Sequence, residues 1–165
     1  AEAEPVEAVN FNSPGQVVIA GEKRALARAV ELVKAKGCRR AIELAVSGPF
    51  HSSMLRPAAE RLAERLAQTQ IRTPSIPVIA NVDVQAHSSP EAIRAALAAQ
   101  VASPVQWVRT IEAMAADGVT DIVECGPGKV LQGLIRRIAP SIRVWGVSDA
   151  ESLAATMDKL AQVAG

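Results

Sequence analysis

The chain has 165 residues, and 49% of them are hydrophobic, which is enough for one sizeable folded core. Its 18 basic and 17 acidic residues give a net charge of +1, which argues against a nucleic-acid-binding protein that depends on a basic surface. No apolar run approaches the roughly 20 residues that cross a bilayer, and the first residues show no signal peptide, so we expect a cytoplasmic protein without membrane contact.

The chain has two cysteines, Cys38 and Cys125, which lie far apart and lack the spacing of a metal site. We therefore expect neither a disulfide nor a metal ion, and no other cofactor. Cysteines of this kind are usually buried free thiols in a reducing compartment, and that is our expectation for both.

The first part of the chain predicts a hairpin, a helix and a strand. Residues 6–12 alternate between apolar and polar side chains, a Ser-Pro-Gly turn follows, and residues 16–20 are a short β-branched run. A helix is predicted over residues 21–37, because its apolar side chains recur every three to four positions and a glycine closes it. Residues 41–46 are predicted to form the next strand.

From residue 48 onward, the sequence predicts helices interspersed with strands. The predicted elements are a helix at 53–70, a strand at 76–81, helices at 90–101 and 105–116, a strand at 121–124, a helix at 129–138, a strand at 142–147 and a helix at 151–163. Pro57 is tolerated only in the first turn of a helix, so the first of these helices begins near Ser53. This order predicts an α/β fold with at least a partly parallel sheet.

The pentapeptide Gly48-Pro49-Phe50-His51-Ser52 places an imidazole between a predicted strand and a long amphipathic helix. Histidine can both accept and donate a proton near neutral pH, so His51 is a candidate general base. These five residues alone favour a simpler interpretation, in which the ring satisfies a hydrogen bond at a strand–helix corner. The second histidine, His87, is predicted to lie in a surface loop.

A histidine base needs a nucleophile, but the serine elbow G-x-S-x-G does not occur in this chain. The nearest match is the segment 146–150, where Ser148 precedes Glu151 by three residues. That spacing is typical of a helix capping box, and we predict that Ser148 caps the last helix.

Three other features have ordinary structural explanations. The segment 126–129, Gly-Pro-Gly-Lys, lacks the spacing of a phosphate-binding loop and predicts a tight strand-to-helix turn. Arg136 and Arg137 follow near the end of the predicted helix, where basic side chains complement the helix dipole. Asn10 and Asn12 share one face of the first strand, which is usually a solvent-exposed arrangement.

Five motifs nevertheless occur in series, at residues 10–21, 48–52, 81–83, 104–107 and 124–131. Together they closely resemble the malonyl-CoA:acyl carrier protein transacylase family, in the family's order and over nearly the whole chain. The resemblance implies an acyltransferase-type parallel-sheet core with part of a small ferredoxin-like subdomain. It assigns residues 1–47 to the latter part of that subdomain and residues 48–165 to the carboxy-terminal part of an α/β hydrolase-like core.

The activity that the resemblance implies is a ping-pong transfer in fatty-acid or polyketide biosynthesis. A serine takes malonyl from coenzyme A and passes it to the phosphopantetheine thiol of acyl carrier protein, with a histidine as base and acid. His51 matches that histidine, and Gln100 matches the residue whose backbone carbonyl holds the ring. Asn10 and Asn12 match positions that face the cleft. Phe50 matches a residue that, in related polyketide acyltransferases, is Phe for malonyl and Ser for methylmalonyl.

The chain departs from the family in three respects. Family members carry a nucleophile elbow, an arginine that pairs with the malonyl carboxylate and an oxyanion-hole glutamine. All three lie in the half of the family sequence that precedes the half resembled here, and none of them occurs in this chain. We therefore expect the functional species to contain a partner, an amino-terminal segment of the same enzyme, and we do not expect the chain alone to be active.

The resemblance also implies an acidic carrier protein as a partner. Lys129, Arg136 and Arg137 are candidates for docking it, by charge alone. Two alternatives remain open, a non-catalytic module that binds the carrier and a serine hydrolase that uses Ser148 with His51.

Overall fold

A computed structural model describes residues 4–46 and 48–164 of the chain. Its elements are, in order, β1 (Val6–Ser13), β2 (Gln16–Gly21), α1 (Lys23–Ala35), a short 3-10 turn (Ser53–Leu55), α2 (Arg56–Ala67), β3 (Ile79–Ala80), β4 (Gln85–Ala86), α3 (Pro90–Val101), α4 (Trp107–Ala116), β5 (Asp121–Cys125), α5 (Val130–Ile138), β6 (Arg143–Val147) and α6 (Ala150–Ala164). Within the described ranges, no helix is both long and apolar enough to span a membrane.

Contacts between residues divide the chain into two compact units. The first contains the described residues up to Asn12 together with Gln16–Trp107, and the second contains Ser13–Gly15 together with the residues from Val108 onward.

Strands β1 and β2 form a two-stranded sheet that belongs to the first unit except for Ser13–Gly15. Their two-residue connection makes them antiparallel, and its glycine, Gly15, has a φ of 76°, in the left-handed region. At the end of β2 the chain passes very close to its own start, since a Cβ on Gly21 would lie 2.1 Å from the Pro5 carbonyl oxygen. Only glycine fits at this close approach without a shift of the backbone.

Helices α2 and α3 pack against each other later in the first unit. Arg94 on α3 reaches the C-terminal end of α2, where its guanidinium donates to the carbonyl oxygens of Leu66 and Thr69, both at 2.9 Å. The Leu66 carbonyl also accepts from the Thr69 N–H, and Thr69 itself lies two residues beyond α2, so the arginine adds side-chain hydrogen bonds to the turn that ends this helix.

The second unit is built on the parallel pair β5 and β6, in a register that runs from Asp121 opposite Arg143 to Cys125 opposite Val147. Helix α5 connects the two strands, and both α5 and α6 pack on β6. The buried apolar side chains of this unit include Ile111, Ile135 and Ile142. The predicted α/β class with a parallel strand pair is confirmed.

A charged cluster joins β5 to β6 at the start of the pair. The guanidinium of Arg143 donates to both carboxylate oxygens of Asp121, and the Trp145 indole N–H donates to the same carboxylate at 2.9 Å. The bonds from Arg143 first, and then that from Trp145, hold the pKa of Asp121 well below its usual range. The cluster fixes the strand register through side chains on one face.

The predicted strand at residues 41–46 is wrong. The segment forms no strand, and Ile42, Leu44 and Val46 are 59%, 51% and 62% exposed. Its alternating pattern suits a strand, but a strand exists only when a neighbour accepts and donates its backbone hydrogen bonds. None of the described residues supplies that neighbour.

Two further expectations need correction. The strand predicted at 76–81 shortens to Ile79–Ala80, which pairs antiparallel with Gln85–Ala86. Both cysteines are free thiols as expected, but they are exposed rather than buried. Cys38 lies in the turn after α1 and Cys125 ends β5, so neither reaches a core position.

Candidate active site

The candidate site lies in the first unit and is centred on His51. His51 has a φ of 62°, in the left-handed region that residues with a Cβ seldom adopt. Its ring nitrogen Nδ1 lies 2.9 Å from the backbone carbonyl oxygen of Gln100, at the C-terminal end of α3. Strained residues of this kind are concentrated at functional sites.

The contact with Gln100 determines which nitrogen of the ring carries the proton. A carbonyl oxygen can only accept a hydrogen bond, so Nδ1 must be the protonated nitrogen of the neutral ring. The lone pair therefore resides on Nε2, at the opposite side of the ring. In the neutral ring Nε2 can therefore accept a proton, and the roles that the resemblance gives to His51 and Gln100 stay predictions.

The turn around His51 is held by its two neighbouring serines. Ser52 is 1% exposed, and its hydroxyl donates to the Pro49 carbonyl oxygen at 2.6 Å. Ser53 begins the 3-10 turn, and its backbone N–H donates to the Glu7 carboxylate at 2.9 Å while its hydroxyl donates to the other carboxylate oxygen. The unusual backbone of His51 is therefore restrained on its C-terminal side.

Sequence reasoning missed Glu7. Its carboxylate caps the start of the helical segment after His51 from a strand 46 positions away, and no local spacing reports a contact of that length. The hydrogen bonds that it accepts, first from the Ser53 hydroxyl and then from the Ser53 N–H, lower the pKa of Glu7.

The segment after α3 connects Gln100 to β1. The Gln100 side-chain amide donates to the Ser103 carbonyl oxygen at 3.1 Å, which closes the turn before Pro104. Val105 then forms a parallel bridge with Asn10, in which the Val105 N–H donates to Val9 and the Phe11 N–H donates to Val105. Gln106 donates its N–H to the Asn81 carbonyl oxygen at 2.9 Å, so four of the five motifs are brought together in this unit.

The candidate substrate residues are Phe50, Asn10 and Asn12. Phe50 is 52% exposed, and its ring lies 3.6 Å from the point where a Cβ on Gly48 would be. Asn10 and Asn12 are partly buried on β1 and, by strand alternation, lie on the opposite face from Glu7. Their roles toward a substrate stay predictions.

The candidate docking residues belong to the second unit. Lys129 immediately precedes α5, and Arg136 and Arg137 lie in its last turn. All three are exposed, as a docking surface requires. Their role toward a carrier also stays a prediction.

The capping interpretation of Ser148 is corrected by one residue. Asp149, not Ser148, caps α6, since its carboxylate accepts from the Ser152 N–H at 2.8 Å while the Ser152 hydroxyl oxygen accepts from the Asp149 N–H at 3.0 Å. The Ser148 hydroxyl donates to the same carboxylate. These bonds, led by the Ser152 N–H, lower the pKa of Asp149.

His87 is half-buried, and its Nε2 lies 2.9 Å from a carboxylate oxygen of Asp83. The contact spans four residues in the β3–β4 region, where Val84 has a φ of 64°.

Across the described ranges, no cluster of three His, Cys, Asp or Glu side chains is arranged to hold a metal ion.

The chain belongs to the acyl transferase domain family, whose model matches residues 3–159. Among curated relatives, malonyl CoA-acyl carrier protein transacylase of Haemophilus influenzae is 52% identical over 159 residues, which are 96% of this chain and 51% of that protein. The protein of the same name from Escherichia coli is 46% identical over 96% of this chain and 51% of its own length.

Solved structures give the same result. The structure of a malonyl-transacylase in complex with a type II PKS acyl-carrier protein matches with a TM-score of 0.93 and 46% identity, over 96% of this chain and 52% of that one. An acyl carrier protein S-malonyltransferase from Vibrio cholerae matches with a TM-score of 0.91 and 49% identity, over 94% of this chain and 51% of that one. The chain thus spans about half the length of the curated relatives it matches.

Proposed function

We propose that this chain supplies the histidine base of a malonyl-CoA:acyl carrier protein transacylase, in fatty-acid or polyketide biosynthesis. The observation that carries the proposal is the 2.9 Å contact between His51 Nδ1 and the Gln100 carbonyl oxygen, which leaves the lone pair on Nε2. The relatives' names and the match to a carrier-protein complex support the choice of malonyl-CoA and acyl carrier protein.

In the proposed reaction His51 first acts as a base. It takes the proton of a serine hydroxyl through Nε2 while the serine oxygen attacks the thioester carbonyl of malonyl-CoA. The carbon–sulfur bond breaks, and the coenzyme A sulfur leaves with the proton from Nε2. The carrier thiol then gives its proton to Nε2, and its sulfur attacks the carbonyl carbon of the malonyl-serine ester. The new carbon–sulfur bond forms, the ester carbon–oxygen bond breaks, and the proton returns from Nε2 to the serine oxygen.

The serine belongs, in this proposal, to an amino-terminal segment of the same enzyme, which also provides the arginine for the malonyl carboxylate and the oxyanion-hole glutamine. The exposed apolar side chains of residues 42–46 support a missing neighbour, because exposed strand-forming segments usually pair with another chain segment. The two exposed, unpaired thiols suit a reducing cytoplasm, where we place the enzyme.

Substrate selectivity and docking complete the proposal. The exposed Phe50 ring beside the His51 turn crowds the acyl α-carbon and favours malonyl over branched groups, while Asn10 and Asn12 face the cleft. Lys129, Arg136 and Arg137 supply positive charge for an acidic carrier.

The test uses the chain co-purified with its complementary amino-terminal segment. After brief incubation with malonyl-CoA, mass spectrometry should find a malonyl ester on a serine of that segment. His51→Ala should slow its formation by about 10²- to 10⁴-fold, the usual contribution of a positioned base. His87→Ala is the matched control, because it removes the other histidine without touching the His51 turn, and it should leave the rate unchanged.

Other results would contradict the proposal. A malonyl ester formed at the same rate with and without His51 would exclude the base role. Carrier binding without any acyl ester would indicate a non-catalytic module instead. Labelling of Ser148 by a fluorophosphonate, dependent on His51, would indicate the serine hydrolase.

A further inference from the structure

A cavity of about 470 Å³ opens along β6 in the second unit. Its walls are the strand residues 144–147, the side chains of Gln132 and Arg136 on α5, part of α6 and the glycine-containing loop before α5. Small-molecule sites have volumes of about 300–1,000 Å³, so this cavity has room for more than a single ion.

The charged side chains that line the cavity are all positive. They are Lys129, Arg136 and Lys159, and no acidic side chain lines it. Among the described residues, none of the three forms an ion pair; Lys159 lies over the Trp145 ring, 5.5 Å from its centroid. Three cations on one concave surface without a counter-charge favour an anionic ligand.

Nearby carboxylates are engaged elsewhere. Glu124 accepts hydrogen bonds from the backbone N–H groups of Leu131 and Gln132, at 3.0 and 3.2 Å, and so caps α5. Asp149 caps α6, and Asp121 pairs with Arg143. These three carboxylates therefore do not pair with the cations of the cavity.

The spacing of the cations indicates the size of the anion. Lys129 and Arg136 are seven residues apart along α5, which corresponds to a rise of about 10 Å. Positive charges distributed over that length match an anion with more than one charged group, such as two linked phosphoryl groups, better than a single phosphate. At the loop, Gly126 and Gly128 have φ values of 134° and 94° with open space at their Cβ positions, so the backbone there is accessible to a ligand.

We propose that this cavity binds a small molecule that carries a diphosphate group, with Lys129 and Arg136 at the two ends of the phosphoryl chain and Lys159 on the α6 side. The inference goes beyond the proposed acyl transfer and uses residues of the second unit alone. It shares Lys129 and Arg136 with the proposed docking surface, but Lys159 belongs only to the cavity and Arg137 only to the docking surface.

The test titrates the purified chain, with its complementary segment where the two co-purify, with inorganic diphosphate at constant ionic strength. Trp145 lines the cavity, so its fluorescence in a Trp107→Phe background reports binding. We expect a saturable change in emission. Lys129→Gln, Arg136→Gln and Lys159→Gln should each weaken binding by about tenfold, the effect of losing one charge-assisted hydrogen bond. Arg109→Gln, an exposed cation of the same unit outside the cavity, should not.

Two further arms separate the alternatives. Coenzyme A that binds more tightly than inorganic diphosphate, with the same dependence on Lys159, identifies the ligand as a coenzyme; equal affinity identifies a free diphosphate. Arg137→Gln should weaken carrier binding but leave diphosphate binding intact, so the two proposals fail independently. The inference is overturned by emission that does not saturate, or by a loss of affinity in Arg109→Gln equal to that in Lys159→Gln.

Discussion

The left-handed backbone conformation of His51 determines the geometry of the site as much as its imidazole ring does. A left-handed conformation costs a residue with a Cβ about 1–3 kcal/mol, so neighbouring interactions must maintain it. The Ser52 hydroxyl and the Glu7 carboxylate provide them, one within the turn and one from β1. Glu7 is a positioning residue, since it holds Ser53 and contacts no reacting atom.

Replacing Glu7 with Gln tests that role. Loss of the carboxylate weakens the two bonds from Ser53, so we expect Glu7→Gln to lower the free energy of unfolding by about 1 kcal/mol at pH 7, as loss of a helix cap does. Urea denaturation measures the difference. Glu22→Gln is the control, because Glu22 precedes α1 without forming a side-chain cap bond.

The effect of Glu7→Gln on stability should also depend on pH. The pKa of Glu7 is lowered in the folded protein from its ordinary value of 4.5, so its stabilising effect is fully present above pH 4.5 and is lost as the pH falls through the folded value. The stability difference between wild type and Glu7→Gln should therefore shrink below pH 4.5. A constant difference down to acid denaturation would show that the carboxylate charge plays no part.

At the scale of elements, the close approach between the end of β2 and the start of β1 admits only glycine at position 21. A Cβ on Gly21 would lie 2.1 Å from the Pro5 oxygen and 2.7 Å from the Val6 Cα, and both are backbone atoms that cannot rotate away. We expect Gly21→Ala to reduce the unfolding free energy by about 1–3 kcal/mol, the usual cost of overpacking.

Gly133→Ala is a control that should change the stability in the opposite direction. It lies inside α5 with nothing within 4 Å of its Cβ position, so Gly133→Ala should stabilise the protein by about 0.5–1 kcal/mol through helix propensity. Thermal unfolding of both variants measures the pair. If both alanines shifted stability in the same direction, steric crowding at residue 21 would not be the cause.

Elements with strong local signals could be predicted from the sequence. Helix α3 spans Pro90–Val101 as predicted, because Ser89 caps it through Ala92 and Pro90 suits its first turn. The strand at 41–46 failed because a strand depends on a partner that local sequence does not report. The α6 cap was misplaced by one residue because Ser148 and Asp149 are both good capping residues. In the site, the histidine could be recognised but its support from Glu7 could not.

At the scale of the whole molecule, residues 41–46 should change most when a complementary segment is present. We expect the amides of Ile42 and Leu44 to exchange hydrogen rapidly in the chain alone and at least about tenfold more slowly in the co-purified complex, since pairing protects backbone N–H groups. Hydrogen exchange read by mass spectrometry measures this. The amide of Ala96, within α3, is the internal reference. Equal exchange of residues 41–46 in both preparations would exclude pairing there.

The partner of the His51 ring is a main-chain oxygen, and that has an evolutionary consequence. Every amino acid carries that oxygen, so no codon change at position 100 can delete the acceptor, although a change there removes the side-chain bond to Ser103 that closes the following turn. The acceptor also carries no formal charge, so it orients the imidazole without placing an anion beside it.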